Sequence, residues 1–212
     1  MKIKTSEDAV GDCRPKRVLP PGRPRAFDID QALDTALDLF WRKGYEGTSL
    51  ADLTDAIGIN RPSLYAAFGN KEELFQKALD RYLEVTSPLM CTALEQSTAR
   101  AVVEELLMGA TASKCADSPR GCLLVNGALA CSEASTSIQN ELNRRRAQGE
   151  EKLRDRFERA KIDGDLPADT NCADLARYVM TIMQGLSVQS VGGATCEELQ
   201  SVVRLALKGF PK

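Results

Sequence analysis

From Asp28 onward the apolar residues of this chain recur three and four positions apart, and no segment alternates as a half-buried strand does. That pattern leaves few folds. Each helix must bury its stripe against other helices, which predicts an all-α protein. The length of 212 residues allows one substantial core, or two small domains that share an interface.

Caps and breakers divide the pattern. A first helix is expected over residues 30–43, with Ile29, Leu33, Ala36, Leu37 and Phe40 on one face and Gly44 as its stop. Thr48 and Ser49 open a short second helix whose apolar positions are Leu50, Leu53, Ala56 and Ile57. Gly58 turns the chain. Asn60 caps a third helix with Pro62 in its first turn, where a missing amide costs little. Asn70 caps a fourth, which can continue past Tyr82. Further helices are expected at 102–113, at 122–131, from 135 to about 160, at 173–189 and at 195–208. The chain reads as a basic arm (1–27), a unit of short helices (28–82, with a helix-turn-helix at about 49–68) and a larger helical unit (83–212).

The formal net charge is -2, yet residues 1–27 by themselves carry about +4. Phosphate contacts need a local cationic surface rather than a cationic protein. Histidine is absent, which excludes histidine-based acid–base catalysis. Seven cysteines contain no Cys-x-x-Cys pair, and their odd number argues against a disulfide framework. No phosphate-binding glycine loop occurs. No enzyme activity, metal or cofactor is expected. No apolar run approaches roughly 18 residues and no secretory signal is legible, so a cytoplasmic protein without membrane contact is expected.

The informative stretch is residues 44–75: a short helix, a glycine turn and a second short, capped helix with small polar side chains. This layout lets a helix enter the major groove end-on. Ala51, Ile57, Ile59, Leu64 and Phe68 are expected to hold the two helices together, leaving Asn60, Arg61, Ser63 and Tyr65 for the groove. No acidic residue lies between Gly58 and Lys71. Gly44-Tyr45, Thr48-Ser49, Gly58-Ile59, Pro62-Ser63, Leu64-Tyr65, Phe68 and Lys71-Glu72-Glu73-Leu74 together resemble, in type and spacing, the DNA-binding signature of the TetR/AcrR family.

The resemblance implies a homodimeric regulator that binds a double-stranded DNA operator, with repression as the family's usual sense. It implies phosphate contacts at Thr48, Ser49 and Lys71, base or phosphate contacts around Arg61, Pro62 and Ser63, and packing of Tyr65 on the sugar–phosphate backbone. Family members often carry His where this chain has Ala67, so a phosphate contact made there is lost here. Gly22-Arg23-Pro24-Arg25 is similar to an arm that precedes such domains. Arg23 and Arg25 can lie in a minor groove, or belong to a tail adding non-specific attraction.

In the family the second half holds an effector pocket and a four-helix dimer interface. Leu175, Val179, Ile182 and Leu186, with Leu199, Val202, Val203 and Ala206, are the candidate dimer residues, and the same stripes can instead be intramolecular core. Candidates for a small-molecule effector pocket are Leu106, Cys122, Asn126, Leu129, Phe157, Met180, Met183 and Gln184, each of which can also be core. Asn126 is polar in a nearly all-apolar helix and needs a partner. Cys122, beside Arg120 near a helix start, or Cys115 could sense oxidants or electrophiles. A DNA-binding structural factor without an effector remains a further reading.

Overall fold

The computed structural model describes residues 27–114, 121–130 and 135–211. Among the described residues there are nine α-helices and no strand: α1 (Ile29–Lys43), α2 (Leu50–Ile57), α3 (Arg61–Phe68), α4 (Lys71–Leu94), α5 (Ala99–Lys114), α6 (Leu123–Leu129), α7 (Thr136–Ile162), α8 (Cys172–Val191) and α9 (Cys196–Lys208). None is long and apolar enough to cross a membrane. Arg23, Arg25, Cys115, Arg120 and Cys131 lie outside the described residues, as does the side chain of Leu129.

Local chemistry explains most helix starts. Ser49 with Asp52, Asn70 with Glu73 and Thr195 with Glu198 form reciprocal capping boxes that satisfy otherwise orphaned amides of α2, α4 and α9. Asp28 accepts from the amides of Asp30 and Gln31 to open α1. Helix ends are met from further away. Arg156 reaches across to donate to the carbonyls of Leu94 and Gln96 at the end of α4. Arg100 does the same to Leu207 in α9. A cation there also suits the negative end of the helix dipole.

The helices share two cores. The first joins α1 to α4 through Ala36, Phe40, Leu53, Leu64, Phe68, Phe75 and Leu79, and it continues into Leu123, Leu124 and Ala128 of α6 and Ile138 and Leu142 of α7. The second holds Val102, Leu106 and Leu107 of α5, Leu153 and Phe157 of α7, and the inner faces of α8 and α9. The boundary expected at residue 82 therefore falls inside a helix. α4 runs unbroken through it, packs Leu83 on the first core and Leu89 and Met90 on the second, and carries Pro88 between them. A helix-interior proline forfeits one backbone hydrogen bond, so the ladder is weakest where α4 passes between the two cores.

Polar contacts also tie α4 to α7. Arg145 of α7 pairs with Asp80 of α4 at 2.7 Å and with Glu141 at 2.6 Å. Asp80 is mostly exposed, and an exposed pair is worth about 0–1 kcal/mol. Each fully buried leucine contributes about 1.5–3 kcal/mol, so Leu123, Ile138 and Leu142 dominate the attachment of α6 and α7. Leu142 has no exposed surface, and Leu142→Ala should destabilise the DNA-binding unit by about 2–5 kcal/mol. Urea denaturation followed by the fluorescence of Trp41, on α1, checks this. An unchanged midpoint would show that α7 contributes nothing to the first core.

Candidate nucleic-acid interface

The amino-terminal unit is arranged around an aromatic cluster. Phe40 of α1 meets Phe75 of α4 edge-on with ring centres 4.9 Å apart, and Tyr45 in the following turn packs on both. The Lys71 ammonium sits 4.2 Å over the Tyr45 ring, which fixes the start of α4 beside the α1–α2 turn. Partial burial lowers the Lys71 pKa, and the Glu46 and Asp52 carboxylates oppose that shift.

Gly58, at φ 77° and ψ 31°, makes the left-handed turn between α2 and α3. Asn60 then accepts from the Ser63 amide at 2.9 Å and starts α3. Along α3, Leu64 and Phe68 are buried, while Arg61, Pro62, Tyr65 and Ala66 are exposed and Ser63 and Ala67 half-buried. Tyr65 is 47% exposed, a large share for an aromatic in so small a helix. The outer face of α3 is thus the surface expected of a groove-reading helix, and it carries no carboxylate.

Three sequence expectations change here. Thr48 has no exposed surface, and its hydroxyl donates to the Gly44 carbonyl at 2.7 Å. Its hydroxyl fastens the turn, so it is turned away from any phosphate. Ser49 is exposed, but its hydroxyl donates to Asp52 at 2.6 Å and accepts from the Asp52 amide. The amides of Leu50 and Ala51, at the first two positions of α2, lack intrahelical acceptors and are the donors that remain for an anion. Ala51 is exposed rather than packed on α3, and Leu53, with no exposed surface, takes that role. Ile57 and Ile59 are half-buried against the same core.

Two positioning residues were not legible in the sequence. Lys77 of α4 donates to the Phe68 carbonyl at 3.1 Å and lies 5.7 Å over the Phe68 ring, closing the C-terminus of α3. Lys43 pairs with Asp52 at 2.7 Å. That contact, with the Ser49 hydrogen bonds, holds the Asp52 carboxyl well below the usual carboxylate range. No local signal marks either contact, because the partners meet only when α4 packs on α3 and α1 on α2.

The carboxy-terminal candidates divide differently from expectation. Leu175, Val179, Leu186, Leu199, Val203 and Ala206 are buried within the protomer's own second core. They are not available to a partner, because both stripes face α5 and α7. Of the dimer set, Ile182 is half-buried and Val202 exposed. The exposed apolar residues on these helices are instead Tyr178, Val188, Val191, Val202 and Leu205. Tyr178, Thr181, Gly185 and Val188, with the C-cap Gly192, follow a spacing of three and four along one face of α8, all exposed. An open groove of about 660 Å³ runs between α8 and α9 beside that face, lined in part by Ile182, Gly185, Gln189 and Val202.

The effector candidates do not form one group. Leu106, Phe157 and Met180 are buried in the second core with Met183 against it. Gln184 accepts from Arg146. Cys122 packs on the first core and accepts a hydrogen bond from the Tyr82 hydroxyl at 3.4 Å. Burial and that neighbouring thiol push the Tyr82 pKa up. Asn126 is half-buried beside Gly121. Cys91, Cys122 and Cys172 are free thiols, but Cys196, the first residue of α9, is disulfide-bonded. The cysteine count alone had pointed away from such a cross-link.

Comparison with known proteins agrees with this arrangement. Residues 32–78 match the family described as bacterial regulatory proteins, tetR family, and residues 98–204 match the tetracyclin repressor-like C-terminal domain. The chain is 37% identical over 196 residues to the transcriptional repressor ComR of Escherichia coli, covering 90% of this chain and 92% of that protein. It is 30% identical over 188 residues to the repressor BdcR of the same organism, covering 88% and 90%. Among solved structures, a cysteine-substituted form of the TetR family regulator CifR, complexed with 26-bp double-strand operator DNA, is 44% identical. The match covers 90% of this chain and all of that one, with a TM-score of 0.86. The chain belongs to the TetR family of bacterial transcriptional regulators.

Proposed function

We propose that this protein is a homodimeric repressor that reads a palindromic double-stranded operator with α3 and is released by a small-molecule effector. One observation carries the DNA reading: α3 exposes Arg61, Pro62 and Tyr65 over a floor of fully buried Leu64 and Phe68, with both ends of the helix tied down. A recognition helix needs that combination of free outer side chains and fixed position. Phosphates are taken by the open amides at the start of α2 and by Lys71 at the start of α4, where the helix dipole helps. The complex of CifR with its operator DNA supports the same class of partner.

A palindromic operator requires a two-fold protein with half-sites about 34 Å apart. The exposed face of α8 and α9 supplies the self-complementary surface. Gly185 and Gly192 allow close approach of a partner helix, while Tyr178, Val188, Val202 and Leu205 offer apolar area. An effector acts by its differential affinity for the dimer with operator spacing and the dimer without it.

A second reading rests on the Tyr82–Cys122 contact. The thiol is free, half-buried and placed where α4 meets the start of α6, beside Trp41, whose ring lies edge-on to Tyr82 at 4.9 Å. A thiol adduct at that junction would force α6 away from α4 and so act on the first core directly.

Arg61→Ala should weaken operator binding by about 1–3 kcal/mol if the side chain reads a base. Titration of a footprinted operator at fixed salt checks this, and unchanged affinity with unchanged sequence preference removes Arg61 from the reading set. Leu205 is 69% exposed, so Leu205→Glu should leave the fold intact while dissociating the dimer and lowering operator affinity. A variant that still sediments as a dimer places the interface elsewhere. Treatment with N-ethylmaleimide should release wild-type protein from operator and spare Cys122→Ser. Equal release of both sinks the thiol reading.

A further inference from the structure

Three consecutive arginines on α7 meet different fates. Arg144 pairs with Glu141 at 2.6 Å, and Arg145 pairs with Glu141 and Asp80. Arg146 meets no carboxylate among the described residues. Its Nη1 donates to Asn143 Oδ1 at 3.2 Å and its Nη2 to Gln184 Oε1 of α8 at 2.7 Å, both neutral amides. Its Nε is buried and has no acceptor.

A half-buried guanidinium cannot shed its charge by losing a proton. Leaving that charge among neutral partners, with one N–H unsatisfied, is unfavourable unless something else compensates it. The α7–α8 seam can hold such a pair, because one turn further along Glu150 meets Arg177 at 3.1 Å. At Arg146 the matching carboxylate is missing, and a glutamine stands in its place. Two apolar side chains of α8 adjoin it. Met180 packs toward Gly149 on the same face of α7, and Met183 is half-buried.

We propose that the seam at Arg146 is an anion subsite that takes the carboxylate of a small organic acid. The carboxylate accepts from Nε and Nη2 in the bidentate geometry that guanidinium favours, displacing Gln184, while the organic part lies toward the methionines. One uncompensated positive charge matches a monoanion; a dianionic phosphate would leave an excess negative charge in the seam. The subsite stands on the geometry of the seam, and its consequence rests on the effector reading above. Gln184 adjoins Gly185 on the exposed face of α8, so displacing it moves the helix that would carry the dimer contact.

The test uses the full chain in acetate, butanoate, benzoate or inorganic phosphate against sodium chloride of equal ionic strength. Carboxylates should raise the Tm of the wild type, the raise should vanish in Arg146→Gln, and Arg146→Lys should retain part of it. In chloride alone, Arg146→Gln should melt no lower than the wild type, because a cation without a counter-charge is being removed. No response to any carboxylate, an equal response in Arg146→Gln, a clearly lower melting temperature of that variant in chloride, or a response to phosphate alone overturns the proposal. So does loss of the dimer in Arg146→Gln, which would assign the missing carboxylate to a partner subunit. Operator affinity measured in the same solutions separates the two readings. An Arg146-dependent rise in Tm without release from DNA keeps the subsite and sinks the effector reading.

Discussion

The apolar contact of α6 and the first half of α7 with α1 and α4 is the constraint on which the other features depend. Through Leu123, Leu124, Ala128, Ile138 and Leu142, residues far along the chain complete the core beneath the DNA-binding helices. A change in the position of α6 or α7 is therefore a change in the packing of that core. Close-packed cores respond to displacement by shifting between discrete arrangements rather than by deforming smoothly. Such a core couples the position of α6 and α7 to the packing of the amino-terminal helices, with Pro88 marking the point where α4 leaves one core for the other.

The electrostatics follow an equally economical logic. The chain is slightly acidic as a whole, with a net charge of -2, and many of its described cations serve internal purposes. Arg100, Arg156 and Lys77 close helix ends, Arg81 pairs with Asp34, and Lys43 pairs with Asp52. Among the described residues of the amino-terminal unit, the groups that the proposed reading leaves for phosphate are Arg61, Lys71 and the open amides of α2. Affinity for DNA in such a protein rests on placement rather than on net charge. The tethering of α3 at both ends by Asn60 and Lys77 is accordingly as relevant to recognition as the residues that face the groove.

Much of the local architecture was legible in the sequence. The positions of α1 to α4, the Gly58 turn, the Asn60 and Asn70 caps and the outward set of Arg61 and Tyr65 all follow from patterns a few residues long. Helix caps, glycine φ angles and i, i+3 and i+4 spacing are properties of neighbouring residues, and the chain adopts them wherever the helices dock. The family signature in residues 44–75 drew its strength from the same local rules.

Only packing decided which side of a stripe meets which partner. Leu175, Val179, Leu199 and Val203 have the spacing of a dimer seam, yet they fill the protomer's own core, and the free apolar face is the opposite one with Val188, Val202 and Leu205. An apolar stripe states that a face is covered and does not state by what. The same limit hid the Lys77 cap, the membership of α6 in the first core and the neutral partners of Arg146. Each depends on a partner from 9 to more than 80 residues distant whose approach is set by the summed burial of several helices, and no local pattern encodes that sum.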